Sequence, residues 1–385
     1  MDVLLLNRGK HNTGLQTIWD IQFMANDLLV PFLRQKDLRT LRKVNTTFIA
    51  LCNSKIVWDM DKLVTLRLTK RQKQQVKKIR NCHQIKQINE YTSLTHLKMD
   101  DWFFNLGFGV LPKSLTHLNF GESFDHPIGK NVLPDSITHL QFGLDFDQSI
   151  DVGVLPKSLT HLQFGERFKK HIGKGVLPDS ITHLRFGVEF DQPIDVGVLP
   201  KSLTHLKFGV DFDQKIGVGV LPESLLKLKF GLGFNEKLRV GVLPKNLLEL
   251  TFGAGPPYRY GGVSYNRSIA KGVLPDSLRC LDLGPHFDKP IDVGVLPKSL
   301  THLKFGSRFN QTIGVGVLPK SLLELTFGAG PPYRHDGVSY NRSIAKGVLP
   351  DSLKCLDLGP HFDKPIDVGV LPKSLTHLKL GLLGL

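Results

Sequence analysis

Hydrophobic and polar positions alternate along this chain in a short pattern that keeps returning. In the stretch LPKSLTHLNFG, residues 111–121, Leu115, Leu118 and Phe120 are apolar, while His117 and Asn119 stand between them. The Leu-x-x-Leu-x-Phe spacing predicts a short strand with Leu118 and Phe120 on one side and His117 and Asn119 on the other. Leu115 enters the core just before the strand, Phe124 and Ile128 return to it, and Val132 and Leu133 close the unit before Pro134 opens the next. Gly121 ends the strand, and the expectation is a backbone angle that only glycine adopts easily.

The unit recurs with Leu-Pro at Pro112, Pro134, Pro156, Pro178, Pro200, Pro222, Pro244, Pro275, Pro297, Pro319, Pro350 and Pro372. The step is 22 residues except for two steps of 31. A fixed period this short predicts a solenoid. Thirteen copies of the strand core run from SLTHLKM (93–99) to Leu380. One unit cannot bury its anchors alone. Stacking supplies the missing wall, at roughly 1.5–3 kcal/mol per large apolar side chain fully buried.

Before the array the pattern changes. From Trp19 to Trp58 apolar residues fall at helical spacing: Leu28, Leu29, Phe32 and Leu33, then Leu38, Leu41, Val44, Phe48 and Leu51, with Asp37 placed as an N-cap. Residues 1–18 read as a tail, 19–60 as a small helical domain, 61–92 as a basic junction and N-terminal cap, and 93–385 as the solenoid. The fold class expected is a mainly β repeat solenoid with a small N-terminal α-helical unit.

Charge is uneven. Net charge is +15, and residues 1–92 hold 17 Lys and Arg against 7 Asp and Glu. In the junction, Lys70, Arg71, Lys73, Lys77, Lys78, Arg80 and Lys86 read as a solvated helix face. The absence of interleaved aromatics argues against a base-binding patch, so a nucleic-acid partner is not expected, and a nucleic-acid-associated protein using residues 67–86 is the less favoured rival. Cys52, Cys82, Cys280 and Cys355 form no C-x-x-C pair, and no apolar run approaches a membrane span. The expectation is an intracellular, cytoplasmic protein without cofactors or membrane partners.

Three features carry candidate chemistry. The face opposite the core presents His96, His117, His139, His161, His183, His205, His302 and His377, with Lys227, Glu249, Cys280, Glu324 and Cys355 in the other copies. A straight ladder offers a metal no closing third ligand, so cross-strand packing is expected; close stacking would spread histidine titration to lower pH. Two residues on, Lys98, Asn119, Gln141, Gln163, Arg185, Lys207 and their successors vary over a fixed scaffold, as a recognition face would. Two nine-residue inserts, within AGPPYRYGGVSYNRS (254–268) and AGPPYRHDGVSYNRS (329–343), present Tyr258, Arg259, Tyr333 and Arg334 as rim contacts. The Asp or Asn after each Phe, as at Asp125 and Asp147, is expected to cap a turn. No phosphate-cradling loop, nucleophile elbow or acid/base pair stands out, so catalysis is not expected. At the C-terminus no polar capping unit is present, and Leu382, Leu383 and Leu385 are placed to fold over the last coil.

The repeat resembles the FNIP repeat, a relative of the leucine-rich repeat, through FDHPI (124–128), FDQSI (146–150), FDQPI (190–194), FNEKL (234–238), YNRSI (265–269), FNQTI (309–313) and FDKPI (362–366). MANDLLVPFL (24–33), KDLRTLRKVNTTF (36–48) and Trp58 resemble an F-box, with Ala25 where the family has Pro and Phe48 where Trp is common. The pair together is similar to F-box/FNIP proteins of social amoebae and of giant DNA viruses. That resemblance implies docking on the Skp-type subunit of a cullin–RING ubiquitin ligase through Leu28, Leu29, Phe32, Leu33, Leu38, Leu41, Val44 and Trp58. The solenoid would then hold a protein substrate, in the host cytoplasm if the protein is viral. The same residues also suit a helical cap for the solenoid, which would leave a repeat scaffold with no ubiquitin link.

Overall fold

The computed structural model describes residues 58–60, 74, 76–82, 88–99, 106–253, 264–328 and 340–381. The expected docking positions Leu28 to Val44, the insert residues Tyr258, Arg259, Tyr333 and Arg334, and Leu382, Leu383 and Leu385 lie outside them.

Among the described residues fifteen strands form one sheet in chain order, every pair parallel. They are β1 (Trp58–Met60), β2 (Val76–Cys82), β3 (His96–Met99), β4 (His117–Asn119), β5 (His139–Gln141), β6 (His161–Gln163), β7 (His183–Arg185), β8 (His205–Lys207), β9 (Lys227–Lys229), β10 (Glu249–Thr251), β11 (Cys280–Asp282), β12 (His302–Lys304), β13 (Glu324–Thr326), β14 (Cys355–Asp357) and β15 (His377–Lys379). From β3 onward equivalent repeat positions face each other: His117 faces His139, Leu118 faces Leu140 and Asn119 faces Gln141. Each coil returns the chain to the same side, which is why consecutive strands run parallel.

The sheet begins earlier than the repeat motif does. The sequence reading placed Trp58–Met60 in a helical unit and 61–92 in a junction with a helical face; in the structure β1 and β2 are strands of the sheet. The cause is visible in β2. Val76 and Ile79 are buried and take the spacing of Leu94 and Leu97, with Ile79 in register with Leu97. An i, i+3 apolar pair suits a helix or this coil equally, and without the flanking Ser-Leu-Thr-His the coil signal is weak.

The anchors bury as the pattern predicts. Leu115, Leu118, Phe120, Phe124, Ile128, Val132 and Leu133 all enter one continuous core, and so do most of their equivalents as far as Phe362, with Ile216 and Ile366 partly buried against it. Two aromatic columns run through it. Phe120, Phe142 and Phe164 follow at 5.5–5.6 Å, and Phe124, Phe146 and Phe168 at 6.1 Å. The second column passes both inserts because Tyr265 and Tyr340 stand in for Phe, with Phe234–Tyr265 and Tyr265–Phe287 both at 6.2 Å. The stack thus runs on without a break from Phe234 to Phe287. At β15 the cover ends, and Leu378 and Leu380 are 41% and 43% exposed.

Two expectations about turn chemistry are corrected. The strand-ending glycine of the early coils is not at positive φ. It is required by close approach: a Cβ on Gly187 would lie 1.6 Å from the Gly165 carbonyl oxygen of the preceding coil. Positive φ sits instead in the turn before Val-Leu-Pro, as at Gly153 (φ 85°), and Asn131 takes that place at φ 64° in the first full repeat. Asn is the side chain that tolerates this region best after glycine. The Asp or Asn after the Phe does not cap its own turn. Its side-chain oxygen accepts the backbone N–H of the equivalent residue one coil on: Asp147 N–H donates to Asp125, Asp213 to Asp191, Asn235 to Asp213 and Asn266 to Asn235, at 2.7–3.0 Å. This satisfies backbone donors that no strand pairs. A second ladder is built by serine: the Ser136 hydroxyl donates to the Leu115 carbonyl at 2.6 Å, and Ser180 to Leu159 likewise.

Candidate functional site

From β4 to β14 each strand buries its central Leu and presents its first and third side chains on the open face of the sheet. The in-register ladder aligns these into two rows. One runs His96, His117, His139, His161, His183, His205, Lys227, Glu249; the other runs Lys98, Asn119, Gln141, Gln163, Arg185, Lys207, Lys229. Together they line a groove of about 900 Å³ that reaches from Lys78 on β2 to Glu249 on β10.

The six imidazoles form an unbroken stack, with centroids 4.0–4.2 Å apart and planes diverging by 11–13°. The same coil-to-coil step measures 6.1 Å at the Phe124 column. The coils therefore fan, and the histidine face lies on the inside of the curve. Each ring is held from below: His117 Nδ1 lies 2.8 Å from the Thr116 hydroxyl, and His139, His161, His183 and His205 repeat the contact at 2.9 Å.

Burial and like neighbours push these histidines toward the neutral form. The His117 pKa falls to about 4, through desolvation first and then repulsion from His96, His139, His161 and Lys78. His161 also falls to about 4, from burial and then His139, His183 and His205. His139, His183 and His205 are lowered too, again chiefly by burial. The downward direction expected from a close stack is thus present, with desolvation as its larger cause.

Among the described residues, no group of three or more His, Cys, Asp or Glu side chains gathers as a metal site. No helix among them is long and apolar enough to cross a membrane.

Of the residues singled out from sequence, His117, His139, His161, His183, His205, Arg185 and Lys207 come together in this one groove. Trp58 stands on β1, and the remaining docking and insert positions lie outside the described residues. Lys229, which belongs to the same varying row as Arg185 and Lys207, lines the groove with them, and so does Lys78, which the sequence reading placed on a solvated helix face. His286 was missed. Its Nδ1 accepts from the Ser264 backbone N–H at 3.0 Å and meets the Ser264 hydroxyl at 2.8 Å, fixing the point where the first insert rejoins the coil. That position varies from coil to coil, so periodicity does not mark it.

The comparisons with known proteins agree with this architecture. No curated protein matches the chain. Among solved structures it is similar to CroV588, described as a novel circular LRR protein structure, with 42% identity and a TM-score of 0.73 over 85% of this chain. The chain spans 45% of the length of CroV588. An internalin (inlF) of Listeria monocytogenes shares the fold at 13% identity and a TM-score of 0.53, covering 81% of this chain and 89% of its own. The FNIP Repeat model matches at 104–145, 146–189, 168–211, 190–233, 212–255, 265–307, 287–330 and 340–382, together more than half of the chain. With that match and the leucine-rich-repeat-like coil described above, the chain belongs to the FNIP-repeat family.

Proposed function

We propose that the chain is a protein-interaction scaffold whose open sheet face recognises a protein partner, and that residues 19–60 couple the captured partner to a cullin–RING ubiquitin ligase through its Skp-type subunit. The observation that carries the recognition part is the groove itself. Side chains of differing chemistry line it, on a backbone and core that scarcely change from coil to coil. A fixed scaffold with a variable inner row can change partner without changing fold. The ligase part draws on the F-box resemblance of 24–48. In this reading the chain performs no chemistry of its own and works in the cytoplasm.

A scaffold without a ligase link is the second reading. It draws on Trp58, which begins the sheet instead of closing a helical unit.

A pulldown with the full chain separates the two. The wild type should recover the Skp-type subunit and cullin, Leu29→Ala/Phe32→Ala should lose both, and a variant altered only in the groove should keep both while losing the substrate. Recovery of neither subunit by the wild type would leave the scaffold reading alone.

A further inference from the structure

We propose that the groove between β3 and β9 binds an acidic polypeptide segment, laid in extended form across the strands. This deepens the scaffold reading and rests on it.

The argument starts from a hydroxyl proton. The Thr116 hydroxyl lies 3.0 Å from the Thr95 carbonyl oxygen, to which it can only donate, and the same bond recurs from Thr138, Thr160, Thr182 and Thr204 to the threonine before each. A hydroxyl has one proton. With that proton committed to the carbonyl, the oxygen can only accept from the neighbouring imidazole. Nδ1 therefore carries the proton in His117, His139, His161, His183 and His205, and Nε2 is left as an acceptor. The ring faces are covered by one another, so the groove meets a row of imidazole edges with lone pairs.

Such a row disfavours nucleic acid. Within the stack the imidazole faces cover one another and offer no base a surface to stack on, and phosphate oxygens would meet acceptors along this row. It suits a ligand with N–H donors, as a polypeptide backbone has.

Charge supplies the second half. From β3 to β9 neither row contains a carboxylate. Arg185, Lys207 and Lys229 stand on three successive strands. Among the described residues none of the three has an ion-pair partner, in contrast to Lys227 with Glu249 at 2.7 Å. Beyond β9 the face neutralises itself: Lys304 pairs with Asp282 and Lys379 with Asp357, each at 3.0 Å, and His302 lies 3.6 Å from Glu324. The positive part of the face is therefore confined to the donor-seeking part. At about 3.3 Å per residue, roughly six extended residues would span the histidine stack. The imidazoles are more closely spaced than the donors on a strand edge, so charge, not register, sets the specificity.

The test uses the full chain and fluorescence anisotropy with a labelled peptide of alternating Glu and Ser. A Lys-Ser peptide and a single-stranded DNA of equal negative charge serve as comparisons. The acidic peptide should bind most tightly and weaken with salt. Arg185→Glu/Lys207→Glu/Lys229→Glu should weaken it about tenfold or more, the neutral Gln triple variant less, and Lys304→Glu/Lys379→Glu hardly at all. Equal binding of both peptides, tighter binding of the DNA, or equal losses in the two charge-reversed variants would overturn the proposal. A photo-crosslinking residue at Gln163, introduced in cells, keeps the two readings apart. Capture of a partner there while the acidic peptide fails to bind removes only this inference; capture of nothing there, with no peptide bound, removes the scaffold reading as well.

Discussion

His139 and His161 stack with centroids 4.1 Å apart and planes 11° apart, each with Nδ1 against the hydroxyl of the threonine before it. The pair is one step of a column in which every member has a like neighbour. A proton on one ring faces His117 and His183 through the stack, with Lys78 at one end of the groove and Lys227 and Glu249 at the other. Only Glu249 favours charging, and it acts on His205 at the far end.

Acidification should therefore destabilise the array. The folded-state pKa values of His117 and His161 are about 4, below the ordinary value of 6.5. The unfolded chain takes up protons first, so the contribution of these groups is complete above pH 6.5 and is lost as pH falls toward 4. Thermal melts should show Tm falling through that window. His139→Gln/His161→Gln should flatten the fall. A Tm independent of pH across the window would show that the stack carries no such linkage.

The hydroxyl under each ring should matter more than the methyl beside it. Thr160→Val keeps the shape but leaves His161 Nδ1–H without its acceptor, while the Thr138 carbonyl loses one of three donors and keeps the backbone N–H groups of Thr160 and His161. A loss of about 1–2 kcal/mol is expected, and Thr160→Ser should recover most of it. Nitrogen-15 spectra should report the Nδ1–H tautomer for His161 in the wild type and a mixture of tautomers in the valine variant.

Two kinds of glycine should respond very unequally to a side chain. Gly187→Ala would drive a Cβ into the Gly165 carbonyl, which is backbone and cannot turn aside. The coils must separate there, and a loss above about 3 kcal/mol is expected. Gly197 has φ +85°, and a Cβ there would meet nothing nearer than the end of the Lys174 side chain at 3.9 Å. Gly197→Asn should cost under about 1 kcal/mol, since Asn131 already holds the equivalent place. Chemical denaturation of the two variants would rank them.

The contrast also shows what sequence can convey. Leu115, Leu118 and Phe120 were legible because burial repeats with the period of the coil, and the histidine row followed from alternation along the strand. The reason for Gly187 was not legible, since a glycine needed for φ and one needed for close approach look alike in sequence. Curvature was hidden for a similar reason: it is a difference between 4.1 Å at His117–His139 and 6.1 Å at Phe124–Phe146, and it depends on how unequal side chains fill the inner and outer walls. The groove follows from that curvature, so its residues could be named in advance but not its depth. β2 was missed because Val76 and Ile79 keep the spacing of the coil without its polar signature.

Among the described residues the aspartate ladder has one break, and repairing it should stabilise the protein. Lys169 stands where the other coils place Asp or Asn. Its own N–H still donates to Asp147 Oδ1 at 3.0 Å, but its ammonium offers the next coil no acceptor. One step further the ladder resumes, with Asp213 N–H on Asp191 Oδ1 at 3.0 Å. The Asp191 N–H is thus the donor that the ladder skips. Lys169→Asn would restore a side-chain oxygen at the position from which Asp125 serves Asp147. A half-exposed bond of this kind contributes about 0.5–1 kcal/mol. The change also removes the contact of Lys169 with Glu189, which at 3.7 Å between exposed side chains is worth little. Because each coil contacts only its neighbours, the gain should be local. Hydrogen exchange should slow at Asp191 and in the coils on either side of it, while the array beyond Gly253 exchanges as before. Lys169→Leu, which removes the same ion pair without adding an acceptor, should show no slowing; equal slowing in both variants would mean that loss of the lysine, not the restored bond, is responsible.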